Sequence, residues 1–71
     1  MTYKFYSGPQ GTVTVTELAG GGEITIARVL NADLKGRWYL DVLASPRPAR
    51  DVTAIIHDHT ALAALIDERR A

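Results

Sequence analysis

The stretch Thr12-Val13-Thr14-Val15-Thr16 alternates polar and apolar β-branched side chains with a period of two residues. That period is typical of a strand with one buried face and one wet face. Residues 3–7 are short and aromatic-rich and predict another strand. Between the two, Gly8-Pro9-Gln10-Gly11 supplies the proline and glycines of a tight turn. The N-terminal segment therefore predicts a β-hairpin.

Residues 23–30 predict a third strand, which follows a glycine-rich segment, residues 19–22, that we interpret as a flexible connection. The alternation of apolar residues slips near Ala27-Arg28, which predicts a β-bulge. Residues 37–44 predict the fourth strand.

Residues 51–57 predict the last strand, which is separated from the fourth by Ser45-Pro46-Arg47-Pro48. The two prolines of that segment lack the N–H that a central strand needs. From Asp58 the pattern becomes helical, and the Asp58 carboxylate is a typical N-cap for the amides of Thr60 or Ala61. The apolar stripe of this helix consists of Ala61, Leu62, Leu65 and Ile66.

A helix of about a dozen residues is marginal in isolation, so we expect it to pack on the sheet. The predicted fold class is α+β: an antiparallel β-meander of four to five strands with one C-terminal α-helix packed on one face. The whole chain, residues 1–71, is predicted to be a single domain. The alternative is a small curled β-barrel with a terminal helix, because short twisted strands can close.

Composition argues against catalysis and bound cofactors. The chain has no cysteine, so it has neither a disulfide nor a cysteine-based zinc site. Ser7 and Ser45 lie in turns without the context of an activated nucleophile. His57 and His59 are spaced to share a metal ion, but the further ligands that a site requires are not adjacent. We therefore expect no enzyme activity, no metal and no cofactor.

The eight basic and eight acidic residues cancel, yet the charge is uneven along the chain. Residues 35–50 carry four basic residues and one acidic residue, a local charge of +3. The chain shows neither an apolar run long enough to cross a bilayer nor the N-terminal pattern of a signal peptide. We expect a cytoplasmic protein without membrane contact.

The feature that points to function is a sheet with two faces and a single helix to cover them. Trp38, Leu40 and Val42 alternate with Tyr39, Asp41 and Leu43, so the two sets point to opposite faces. If the helix covers the Trp38 side, the uncovered side carries an apolar and aromatic patch with a charged margin. The partner-binding residues predicted in this way are Tyr39, Leu43, Ile55, Val29, Arg37, Arg47 and Arg50.

The leading hypothesis is a small non-enzymatic protein-binding module that docks through a sheet face or edge onto another protein or a second copy of itself. Residues 12–16 are one candidate edge. The alternative is a nucleic-acid-binding module that uses the basic 35–50 hairpin, with Lys35 among its phosphate contacts and Tyr39 as a stacking group.

Arg37-Trp38-Tyr39-Leu40-Asp41-Val42, followed by a turn, a strand and an alanine-rich helix, resembles the arm-binding domains of phage integrases. That resemblance covers about half of the chain and implies DNA binding, although the basic sheet face of that family is missing here. In size, neutrality and lack of catalytic groups the chain is also similar to the small inhibitor proteins of phages and mobile elements, anti-CRISPR proteins among them. This second likeness implies a protein encoded by such an element that inhibits by binding; neither likeness rests on a specific motif.

Overall fold

The computed structural model describes residues 3–31 and 36–70. It contains five strands and one helix: β1 (Tyr3–Ser7), β2 (Val13–Ala19), β3 (Gly22–Leu30), β4 (Tyr39–Val42), β5 (Arg50–Asp51) and α1 (His59–Arg70). The strands form one sheet in the order β1-β2-β3-β4-β5, and every neighbouring pair is antiparallel. The predicted α+β meander is confirmed. The sheet is open, so the barrel alternative is wrong. β2 pairs with β1 on one side and with β3 on the other, so the prediction that residues 12–16 form a free edge is also wrong.

The turn between β1 and β2 is a short 3-10 segment, Pro9–Gly11, closed by a hydrogen bond that the Gly8 amide donates to the Thr12 carbonyl at 2.7 Å. Gly11 has a φ of +80°, and a Cβ built on it would lie 3.0 Å from the Trp38 indole. Glycine is needed here because it permits both the left-handed backbone and the close approach of the ring.

A two-residue turn, Gly20-Gly21, joins β2 to β3, with φ values of 58° and 85°. Ala19 pairs with Gly22 across it. Positive φ at both central positions is the geometry whose twist matches a β-hairpin, and glycine adopts it without steric cost. The flexible connection predicted for residues 19–22 is therefore wrong, because these glycines form a tight turn.

The predicted bulge is present in β3, one residue before Ala27. Val15 pairs with Ala27 while Thr16 pairs with Thr25, so Ile26 is the extra residue. A bulge interrupts the strict alternation of a strand. As a result, the neighbours Ile26 and Ala27 are both buried.

β4 and β5 are shorter than predicted, with four and two residues. After β5 the chain bends into a 3-10 turn, Thr53–Ile55. The Asp51 carboxylate causes this bend by accepting hydrogen bonds from the Thr53 amide at 2.9 Å and the Thr53 hydroxyl at 2.7 Å. The strand predicted for residues 51–57 is thus wrong beyond Asp51.

α1 packs on one face of the sheet through Leu62, Leu65 and Ile66. Against them lie the buried residues of the strands, namely Tyr3, Val15, Ile26, Ala27, Val29, Leu40 and Val42, together with Val52. The Ala61 amide donates to Asp58 Oδ1 at 3.0 Å, which confirms the predicted N-cap. The predicted apolar stripe of the helix is likewise the face that meets the sheet.

Gly21→Ala is expected to lower the free energy of unfolding by about 1–2 kcal/mol, because alanine is strained at positive φ. Gly22→Ala is the matched control: both sites have open space around a Cβ, but only Gly21 has a positive φ. Urea unfolding of the two variants measures the difference. Equal effects would show that the left-handed turn does not constrain the hairpin.

Candidate functional site

The face of the sheet opposite α1 is mostly polar. Cross-strand register and alternation place on it Lys4, Tyr6, Thr14, Thr16, Leu18, Glu23, Thr25, Arg28, Leu30, Tyr39 and Asp41. The Glu23 carboxylate accepts hydrogen bonds from the Tyr6 hydroxyl at 2.6 Å and the Thr16 hydroxyl at 2.8 Å. These bonds, the one from Tyr6 first, lower the pKa of Glu23. Such a face is solvated and does not form the predicted apolar patch.

The four apolar residues of the predicted site do not come together. Val29 is fully buried and pairs with Leu40 on the side that faces α1, so its predicted exposure is wrong. Ile55 lies in the 3-10 turn and packs, half-buried, against the core. Tyr39 is half-buried on the open face. Leu43, which directly follows β4 and is 37% exposed, lines the groove described below, and the other three do not.

The predicted basic surface is also divided. Arg37, Arg47 and Arg50 are exposed, but Arg50 pairs with Leu40, while Tyr39 pairs with Asp51 on the opposite face. β4 and β5 do pair as a hairpin, but only through these two residue pairs, while all four residues of β4 pair with β3 on its other edge. Lys35 lies outside the described residues. Within the described chain, the proposed stacking group and Arg50 do not share a surface.

The two histidines lie at the start of α1 and in the turn before it. The His59 ring stacks on the Phe5 ring, with centroids 4.2 Å apart and planes 12° from parallel, and His57 is exposed in the turn before α1. In the parts of the chain that the structure describes, no three His, Asp or Glu side chains lie close enough to hold a metal ion. Over the same residues, no helix has the length and apolar character to cross a membrane.

A groove of about 390 Å³ lies between the C-terminal end of α1, the turn after β4 and the first half of β3. Its apolar wall consists of Ile24, Ile26, Val42, Leu43, Ala44 and Pro46, and its charged rim of Glu17, Arg69 and Arg70. Ile24 is 54% exposed and Leu43 37%. The groove has the size of a few side chains, near the lower end of the range of about 300–1,000 Å³ that is usual for ligand sites.

A free strand edge borders this groove. β3 has nine residues, but β4 pairs only with its last four, Ala27 to Leu30, and one further bond runs from the Leu43 amide to the Ile26 carbonyl at 2.9 Å. Among the described residues, no strand lies beside residues 22–25 of β3 on the β4 side. We call this segment the β3 overhang. Its outward backbone groups are available to a further strand.

The turn that ends β4 diverts the chain away from the overhang. Ala44 has a φ of 64°, and the Ser45 amide donates to the Val42 carbonyl at 3.3 Å. The Ser45 hydroxyl donates to the Arg69 carbonyl at 3.3 Å, and the Arg69 guanidinium donates to the Pro48 carbonyl. These contacts fix the wall of the groove to the last turn of α1. Ala44 is strained, because it is a non-glycine residue with a positive φ. Such strain often marks functional sites.

At the other rim, Arg70 joins α1 to β1 and β2. Its guanidinium bonds both oxygens of Glu17, at 2.8 and 3.2 Å, and donates to the Tyr3 hydroxyl at 3.2 Å. The Tyr3 hydroxyl in turn donates to the Asp67 carboxylate. The hydrogen bonds from Arg70 lower the pKa of Glu17, and burial, followed by the bond to Asp67, raises the pKa of Tyr3. The network holds the end of the helix on the sheet.

Sequence reasoning missed the groove, apart from Leu43, because it gave β3 and β4 equal lengths. Eight residues were predicted for each strand, which leaves no overhang. The sequence does contain a signal that β4 ends early, because the prolines of Ser45-Pro46-Arg47-Pro48 exclude a continuing strand. Arg69 and Arg70 were assigned to no site, because their approach to the sheet depends on where the helix docks.

Comparisons of this chain with known protein families, with curated proteins and with solved structures found no match. The groove and the strand edge beside it are therefore the features of the molecule that bear on its function.

Glu17→Gln is expected to reduce stability at neutral pH and to flatten its dependence on pH in acid. The folded-state pKa of Glu17 lies below its ordinary value of 4.5, so the ionised form stabilises the fold. That stability is fully present above the ordinary value and is lost as the pH falls through the lowered one. Urea unfolding at pH 7, 5 and 3 should show the difference between wild type and variant shrinking with acid.

Glu68→Gln, which changes an exposed carboxylate on α1 outside the Arg70 network, is the control and should leave the pH profile unchanged. A Glu17→Gln variant with a wild-type acid profile would show that the ion pair with Arg70 does not hold the helix end.

Proposed function

We propose that this protein is a non-enzymatic protein-binding module that binds an extended segment of a partner protein by adding it as a strand beside the β3 overhang. The observation that carries the proposal is the position of an unpaired strand edge directly against an apolar groove. The edge supplies main-chain hydrogen bonds that any extended segment can form, and the groove supplies contacts that select side chains.

The geometry favours a segment that continues the line of β4. β4 leaves the sheet after Leu43, and the overhang begins on the adjacent part of β3. An incoming strand antiparallel to β3 would therefore occupy the position that a longer β4 would have. The overhang already pairs with β2 along its other edge, so this part of β3 is held extended before a partner segment binds. That preorganisation lowers the entropic cost of association.

The exposed aliphatic side chains favour the same site. Ile24 and Leu43 both line the groove and are both among the large apolar residues that the fold leaves exposed. Covering apolar surface contributes about 25 cal/mol per Å². Alternate side chains of an added strand would point into the groove and cover these two residues, while the other side chains would point toward the polar open face.

A module of this kind acts by occupancy. A partner segment held as a sixth strand is withdrawn from whatever contact it otherwise makes, which is how an inhibitor encoded by a phage or mobile element would work without chemistry of its own. A second copy of this chain is a further source of such a segment, and it would give a dimer.

The test is selection of displayed random peptides on the immobilised protein, followed by hydrogen exchange with the best peptide in synthetic form. We expect slowed exchange at amides of residues 22–25, because those that face the free edge become bonded on binding. Ile24→Asp and Leu43→Asp should each weaken binding by at least about tenfold, since a carboxylate placed in the apolar wall loses its hydration.

Leu18→Asp and Tyr39→Ala are the matched controls. Leu18 is 66% exposed on the same hairpin as Ile24 but on the open face, and Tyr39 lies on that face too. Both variants should bind as the wild type does. Binding that is lost in the controls and kept in Ile24→Asp would move the site to the open face and overturn strand addition at the overhang.

A further inference from the structure

The charges on the rim of the groove are not balanced within the described chain. Glu17 and Arg70 neutralise each other as a two-bond ion pair. Arg69 lines the same groove, and among residues 3–31 and 36–70 no carboxylate lies within ion-pair distance of it. Among the described residues, its guanidinium donates to the neutral Pro48 carbonyl. Over the described residues that line it, the groove therefore has a formal charge of +1, carried by Arg69.

Arg69 is held in position for recognition. Its side chain is half-buried, its guanidinium is bonded to the turn after β4, and its own carbonyl accepts from Ser45. A guanidinium has five N–H donors in a planar fork, so the bond to Pro48 leaves most of them unused. A fixed arginine with unused donors favours a carboxylate, which can accept two parallel bonds. Arg47, exposed in the same turn, adds to the positive potential.

An aliphatic wall adjoins this cation. Ile24, Ile26 and Leu43 line the groove together with Arg69. In an extended strand, side chains on one face are two residues apart, about 6.6–6.8 Å along the chain. A segment whose aliphatic and acidic residues are separated by one residue would thus present both to the groove side at once.

We propose that the groove selects acidic segments: an extended peptide with an aliphatic residue against Ile24 and Leu43 and, two residues away, an Asp or Glu carboxylate on Arg69. This inference rests on the proposed strand addition and adds to it the chemical class of the partner. It follows from charge complementarity at a site whose other ion pair is already satisfied.

The test uses three fluorescein-labelled synthetic peptides that alternate threonine and valine over about eight residues, with acetylated and amidated ends. One groove-facing valine is replaced by glutamate, glutamine or lysine. Fluorescence anisotropy at about 50 mM salt should show the glutamate peptide binding at least about tenfold more tightly than the glutamine peptide, and the lysine peptide binding most weakly. The preference should shrink at about 500 mM salt, because screening weakens a rim charge.

Arg69→Gln should bring the glutamate peptide down to the affinity of the glutamine peptide, whose own affinity should not change. Arg69→Lys should keep part of the preference, since it keeps the charge but loses the fork. Arg28→Gln, which removes an exposed arginine on the open face, is the matched control and should retain the full preference. Thermal unfolding of each variant verifies that it is folded.

The outcomes of these measurements distinguish the acidic preference from strand addition itself. A preference for glutamate that disappears in Arg69→Gln supports the inference. Equal binding of the three peptides to the wild type would overturn the acidic preference and leave strand addition standing. Binding weaker than about 1 mM for all three would overturn both proposals. A preference that persists in Arg69→Gln and disappears in Arg28→Gln would also overturn the inference, because it would place the carboxylate on the open face.

Discussion

The packing of α1 against one face of the sheet is the interaction on which the rest of the structure depends. Leu62 and Ile66 are fully buried against strand residues that include Val15 and Leu40. Neither side is stable without the other, because a helix of this length is marginal alone and the sheet would expose one apolar face. The chain has no disulfide to replace this contact. The stability of the protein is therefore tied to the placement of one helix.

Residues of β1 contact both ends of α1. The Phe5 ring stacks on His59 at the start of the helix, and Tyr3 bonds Asp67 and Arg70 at its end. The last turn of the helix also contacts the turn that follows β4, through the bonds of Arg69 with Ser45 and Pro48. The groove arises where these meet beside a long β3 and a short β4, so it is a consequence of how the helix docks and of where β4 stops.

In the proposed function, the open face stays solvated and the apolar groove binds the partner. Threonine, charged side chains and hydrogen-bonded tyrosine on the open face leave that face solvated, which limits nonspecific association through the sheet. Two exposed aliphatic side chains, Ile24 and Leu43, instead lie together beside the unpaired edge at the β3 overhang. Recognition at an edge also suits a small protein, because main-chain hydrogen bonds supply affinity that a small contact area cannot supply alone.

The sequence by itself determined the order of the elements, the alternation of faces within β4 and the amphipathic helix with its Asp58 cap, because each depends on neighbours within a few residues. It also indicated the bulge. It could not give the lengths of β4 and β5, since the Asp51–Thr53 hydrogen bonds that bend the chain compete with the strand that the apolar alternation predicts. Nor could it place Val29, because the bulge at Ile26 and the pairing with Leu40 decide which face it takes. The groove was decided by tertiary structure alone, because Ile24, Leu43 and Arg69 are distant in sequence and meet only when register, turn and helix docking act together.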